Sequence, residues 1–273
     1  MNLLYHYTNQ NGFLGIISEK SMWMSNLHYL NDSIEYHYPL DLLRSQIGSI
    51  DPGTSLQAII LPEAVEVTRK NVFQGIIDLL YDDIVIKVPI YVSCFSENGD
   101  QLGQWRGYSD SGIGFSLGFD RAELEGIAKA NNYLLQPCIY EKSDQINPLN
   151  ALIEKMPKLV ERKNLPKIRT EFIFDFWSIA PTLKHFSFKE EREWRLFSKA
   201  LGTKQEDVSC RQGKSMIIPY IKLKFEDLGI IKKIVIGPTP HQGLSKNSAR
   251  TFLSSRGVEK IEIVNSEVPY RSW

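Results

Sequence analysis

Apolar residues fall along this chain in two rhythms, and the switches between them mark out its elements. Short runs rich in β-branched and aromatic residues read as strands, while stretches with apolar residues three or four positions apart read as helices. NLLYHY, from Asn2 to Tyr7, is a strand on this criterion. The Thr8 hydroxyl is then expected to cap a helix that turns Phe13, Ile16 and Ile17 to one face. SMWMSN supplies a second strand, so the chain opens as strand, helix, strand with the helix laid on a sheet, and HYLND is the polar turn that leaves it.

Helical spacing returns from about Ser33 to Ile47 and from about Pro62 to Leu80, interrupted by PGT at positions 52–54. These two helices are expected to form an insertion apart from the functional site. Valine and isoleucine then dominate IVIKVPIYVSCFS, a strand in which Pro89 points to a sheet edge or a bulge. QLGQWRGYSD is a polar, Gly-flanked connector, GIGFSLGF a strand, Arg121 to Ala130 a helix and LLQPCIY a further strand. From Asn147 to Ile179 the spacing is helical, with Pro157 and Pro166 dividing the region. Strands resume at EREWRLF, KSMIIPYIKL and KKIVIGP, and a helix from Ser245 to Ser255 precedes a last strand, EKIEIV. The pattern predicts an α+β fold built on a mixed sheet, with helical insertions near 33–82 and 145–180, in a single domain spanning 1–273.

The 273 residues, 42% hydrophobic and 23% charged, suffice for a substantial core. The 32 basic and 32 acidic residues cancel, so no chain-wide field draws the protein to a nucleic-acid backbone or an anionic membrane. Three scattered cysteines fit neither a disulfide framework nor paired metal ligands, which points to a reducing compartment. The opening residues lack the basic and apolar regions of a secretory signal, and no run reaches the roughly 18 apolar residues of a spanning helix. A cytoplasmic protein without membrane contact is the expectation.

EREWRLF carries the strongest chemical signal. Alternation in a strand sends Glu191, Glu193 and Arg195 to one face and Arg192, Trp194 and Leu196 to the other. Two carboxylates so placed suit stabilisation of a developing cation at a sugar carbon and deprotonation of an attacking group, and equally suit an exposed face laced with ion pairs. His6, polar within an apolar strand, needs a hydrogen-bond partner. It either holds a ribose hydroxyl or is a core histidine bonded to a backbone carbonyl.

LLYHYTNQNGFLGIISEKSMW resembles the opening of ADP-ribosyltransferase-like proteins. The resemblance implies a mixed, mainly antiparallel central sheet and NAD as substrate. It implies that His6, with Tyr7 and Thr8 beside it, binds the adenosine ribose, that Glu193 contacts the nicotinamide ribose, and that Tyr108 or Phe115 stacks on nicotinamide. In this chain Tyr7 stands where poly-ADP-ribose polymerases have glycine. The series HYT, LND, SCFSE, QWRGY, GxGFSxGF and EWR also resembles an uncharacterised bacterial family of unknown function, and that likeness runs through the final PYR.

Other segments complete the candidates. In QLGQWRGYSD, Arg106 is the expected phosphate ligand, though Trp105 packing on the sheet explains the segment equally well. Ser93 and Ser96 resemble the Ser-rich second motif of some transferases, or cap a strand end. Cys94 has no neighbouring base and reads as an inert thiol, and His28, His37, His185 and His241 lack zinc-site spacing, so no metal is expected. Dinucleotide and P-loop glycine motifs are absent. The expected function is ADP-ribosyl transfer from NAD to a macromolecular acceptor. The alternatives are a catalytically silent nucleotide-binding or interaction module of a bacterial defence or toxin system, and an RNA phosphate-transfer enzyme on the same fold.

Overall fold

The computed structural model describes residues 2–30, 34–49, 69–81, 89–109, 113–156, 164–200, 207–213 and 215–270. The opening follows its apolar pattern as β1 (Leu3–Thr8), α1 (Gln10–Glu19) and β2 (Ser21–Asn26), with Phe13, Ile16 and Ile17 buried. Asn9 rather than Thr8 caps α1, its side chain accepting from the Gly12 N–H at 2.9 Å. Thr8 is still in the β1 ladder, opposite Phe115, and so stands one residue too early to cap.

In chain order there follow α2 (Ile34–Gly48), α3 (Arg69–Tyr81), β3 (Tyr91–Ser96), α4 (Leu102–Tyr108), β4 (Phe115–Asp120), α5 (Arg121–Ala130), β5 (Tyr133–Pro137) and α6 (Lys142–Glu154). Then come α7 (Leu165–Trp177), β6 (Glu193–Ser198), β7 (Ser209–Gln212), β8 (Ile217–Lys224), β9 (Ile231–Ile236), α8 (Gln242–Ser255) and β10 (Glu262–Asn265). Positions 52–54 and 62–68, part of the expected helical region, and Pro157 lie outside the described residues. Pro166 falls in the first turn of α7, where its missing N–H leaves no bond unmade.

The ten strands form one sheet in which β9 and β10 pair parallel and the other named strand pairs run antiparallel. The chain is therefore α+β with a mixed, mainly antiparallel sheet. β3 is antiparallel to both β1 and β2 and pairs with them along one edge, β2 at its start and β1 at its end, with β6 on the other edge, so the two opening strands run in the same direction against a common neighbour. Pro89 does not mark an edge. It lies ahead of β3, which has partners on both sides and thereby keeps its ladder donors.

Each sheet face has its own core. Leu4, Phe95, Leu117 and Leu196 pack with Phe13 of α1, Leu124 of α5 and Leu253 of α8. Val92 and Phe197 on the opposite face pack with Leu40 of α2, Phe73 of α3, Leu149 of α6 and Phe176 of α7. The two helical regions of the sequence thus make one layer. QLGQWRGY is not a loop but contains α4, because Trp105 is fully buried, stands edge-on to Tyr7 at 4.7 Å and donates from Nε1 to Asp100 Oδ1 at 2.7 Å. That burial outweighs the flanking glycines. Among the described residues no helix is long and apolar enough to cross a membrane.

Candidate functional site

The site forms where the sheet divides. β6 runs along one edge of β3 from Val92 to Ser96. On the other edge β2 pairs at Tyr91 and Val92 and β1 at Ser96, leaving Ser93 to Phe95 without ladder partners there. Side chains bridge the opening. His6 Nδ1 lies 2.9 Å from the Cys94 carbonyl, and Ser93 Oγ donates to the Trp23 carbonyl at 3.0 Å. A carbonyl only accepts, so Nδ1 carries the proton and Nε2 is left as an acceptor. Burial lowers the pKa of His6 against the opposing effect of the Cys94 bond, and the ring is neutral at physiological pH.

A cavity of 490 Å³ opens beside this division, a size within the usual span of small-molecule sites. Cross-strand partners share a face, so Glu193 and Arg195 lie with Ser96 and Cys94, and Tyr5 and Tyr7 lie with them. By alternation His6 belongs to the opposite face, and it lines the cavity because β1 and β2 separate beside it.

Glu191 reaches the same place by a route the strand reading did not foresee. It ends a 3₁₀ segment, Phe186–Glu191, and Arg192 joins that segment to β6 in the left-handed region at φ 44°. For a non-glycine residue this conformation costs roughly 1–2 kcal/mol. The turn leaves Glu191 Oε2 2.6 Å and Glu193 Oε2 2.5 Å from Lys184 Nζ. Glu35 of α2 lies 3.2 Å from the same nitrogen and 2.7 Å from Arg195 Nη2, while Arg195 Nε meets Glu193 Oε1 at 2.7 Å. The helix expected to stand apart therefore supplies a member of the site, because packing on the sheet turns its first residues to β6. Lys184 is itself pinned, since Gln145 Nε2 donates to the Lys184 carbonyl at 2.7 Å and to the Ile139 carbonyl at 2.6 Å.

Three carboxylates against two cations leave the cluster one net negative charge. Burial alone would raise the Glu193 carboxyl, but the Arg195 guanidinium and the Lys184 ammonium outweigh it and hold that group well below the ordinary carboxylate range. Glu191 moves the other way: burial raises it, and Lys184 offsets part of the rise. Two neighbouring acids with pKa values driven apart are the arrangement that divides acid–base roles.

Of the sequence-predicted residues, His6, Tyr7, Ser93, Tyr108, Glu191 and Glu193 line the cavity. Thr8, Ser96, Arg106 and Phe115 are not among the lining residues. Phe115 stacks on Phe13 at 4.1 Å in the core of the opposite face and is not a stacking ring for a ligand there. α4 turns Gly103, Gln104, Gly107 and Tyr108 inward, so Arg106 is exposed, with its guanidinium 4.9 Å from the Tyr270 ring. Ser96 holds the frame: its hydroxyl donates to the Glu191 carbonyl at 2.7 Å and accepts from the Asn98 N–H at 3.1 Å. Tyr7 likewise donates to the Asn98 carbonyl at 2.8 Å and accepts from the Gln101 N–H at 3.0 Å. Cys94 lines the cavity, and burial raises its thiol well above the ordinary value, so it stays protonated. Among the described residues no group of His, Cys, Asp and Glu is arranged to hold a metal ion.

Glu35, Lys184 and Arg211 line the cavity as well, and sequence reasoning passed over all three. Lys184 and Glu35 have no spacing to any partner, and Arg211 sits in SCRQ, too short and polar to read as a strand. No curated protein and no solved structure matches the chain. A family model described as a protein of unknown function, DUF2971, matches residues 104–196, a segment that includes Lys184, Glu191, Glu193 and Arg195 and excludes His6, Glu35 and Arg211.

Proposed function

We propose that this chain is a nucleotide-using transferase that moves ADP-ribose from NAD to a macromolecular acceptor. The observation that carries the reading is the pair Glu191 and Glu193 in one cavity, with opposite pKa shifts, in a cluster that with Glu35, Lys184 and Arg195 keeps one net negative charge. Breaking the bond between nicotinamide nitrogen and ribose C1′ sends the electron pair to the departing neutral nicotinamide and leaves positive charge on the sugar. An ionised, buried Glu193 opposes that charge where water cannot screen it. The acceptor then bonds to C1′ and passes its proton to Glu191, whose raised pKa makes it the stronger base of the two. His6 Nε2 accepts from a ribose hydroxyl, and Tyr108 offers a ring at the cavity wall.

The test is nicotinamide release from NAD by the purified protein with a cell-lysate acceptor. Glu193→Gln is expected to lower kcat by about 10²–10³ with little change in KM. Glu191→Gln, at a less buried position, checks the reading if the first variant fails to fold. Absence of release by the wild type, or full rates in both variants, overturns it.

A second reading is a catalytically silent nucleotide-binding module. It is favoured by the saturation of Glu193, both of whose oxygens are taken by Arg195 and Lys184. Calorimetric binding of NAD without nicotinamide release distinguishes it from the transferase.

A further inference from the structure

We propose that Arg211 is the anion-binding residue of this cavity and that it takes the phosphate or diphosphate of a nucleotide ligand. The inference rests on the nucleotide reading of the cavity, though not on turnover. Arg211 stands on β7 opposite Ile218 and lines the cavity from that edge. Its Nη2 donates to Ser25 Oγ at 3.2 Å, and its guanidinium lies 6.0 Å from the Trp23 ring. Its Nε is buried without a hydrogen-bond partner. Lys184 and Arg195 are matched by carboxylates, whereas Arg211 forms no ion pair among the described residues. A guanidinium offers five N–H donors in a planar fork that fits two phosphate oxygens at once, and leaving a buried donor unmet is costly.

The charge layout of the cavity says what kind of molecule fits. In sheet order β6, β3, β2, β8, β7, the net negative cluster stands at β6 and the Arg211 guanidinium, without a carboxylate partner among the described residues, at β7. β2 lies between and carries Trp23, which is 44% exposed, while Tyr29 and Tyr108 on the cavity wall are 37% and 39% exposed. Exposed flat rings suit stacking on a base. A neutral sugar leaves the fork of Arg211 empty, and an anion extending through the cavity meets the carboxylates. The fitting ligand is bipolar, with phosphate at Arg211 and a sugar or cationic ring toward Glu191 and Glu193. Arg106, expected from the sequence for this role, faces away.

Isothermal titration with ADP-ribose, inorganic pyrophosphate and adenosine tests the assignment. ADP-ribose is expected to bind the wild type, and Arg211→Gln to weaken that binding at least about tenfold while leaving adenosine unaffected. Arg106→Gln is expected to change neither. Where Arg211→Gln fails to fold, Arg211→Lys keeps the charge but loses the fork, and is expected to weaken ADP-ribose at least about threefold. Wild type that binds neither ADP-ribose nor pyrophosphate, or a folded Arg211 variant that binds ADP-ribose as tightly, overturns the proposal. Binding of a single-stranded RNA oligonucleotide with no response to ADP-ribose also overturns it. Arg211-dependent binding without nicotinamide release leaves it standing while the transfer reading falls. Release that survives Arg211→Gln at unchanged KM does the reverse.

Discussion

Glu35 Oε1 accepts from Arg195 Nη2 at 2.7 Å, an ion pair between residues 160 positions apart, with both side chains largely removed from water. It ties the start of α2 to β6 and holds the guanidinium that in turn holds Glu193. Without Glu35 the buried Arg195 keeps Glu193 as its carboxylate but loses its shortest Nη2 contact, and a hydrogen bond to a charged group contributes about 1.5–3 kcal/mol. Glu35→Ala is therefore expected to destabilise the protein by about 2 kcal/mol, read as a lower urea midpoint at unchanged slope. A loss under about 1 kcal/mol, the worth of an exposed pair, would show that α2 is not anchored through this contact.

His6 gives the protein a pH dependence of known sign. Its folded pKa lies below that of an exposed imidazole, about 6.5, so the unfolded chain takes up the proton first. The stability contributed by neutral His6 is complete above about pH 6.5 and is lost as pH falls toward the folded value. His6→Gln is expected to flatten the decline in unfolding free energy between about pH 7 and pH 5, measured by chemical denaturation across that range. Parallel profiles for the two proteins would mean that His6 titrates like an exposed side chain.

Gly103 and Gly107 stand four apart on α4, line the cavity, and would place an added Cβ with nothing within 4 Å. Glycine in a helix costs up to about 1 kcal/mol relative to alanine, and no close protein contact requires it at either position. Alanine at both positions is expected to raise the melting temperature slightly while weakening ADP-ribose binding, because the methyls occupy space a ligand would use. A more stable double variant with undiminished affinity would remove α4 from the ligand-contacting surface.

Most elements were legible because periodicity is a local property. Phe13, Ile16 and Ile17 marked the buried face of α1, and Trp194 and Leu196 marked the apolar side of β6. The misreadings occurred where tertiary contacts overrode local signals. Trp105 draws a Gly-rich segment into a helix, and Arg192 turns the chain before β6 so that Glu191 is not in the strand. Phe115 and Arg106 had suitable chemistry, but the register of β4 and the inward face of α4 direct them elsewhere.

The sequence alone determined the α+β class, the succession of most elements, and the two segments that supply His6, Glu191 and Glu193. Only the tertiary structure decided that β1 and β2 part beside β3, that Glu35 and Lys184 complete the carboxylate cluster, and that Arg211 faces the same cavity. The reason is physical: apolar spacing encodes which side of an element is buried. The partner of a buried charge is set by strand order and helix packing, which join residues that no spacing along the chain relates.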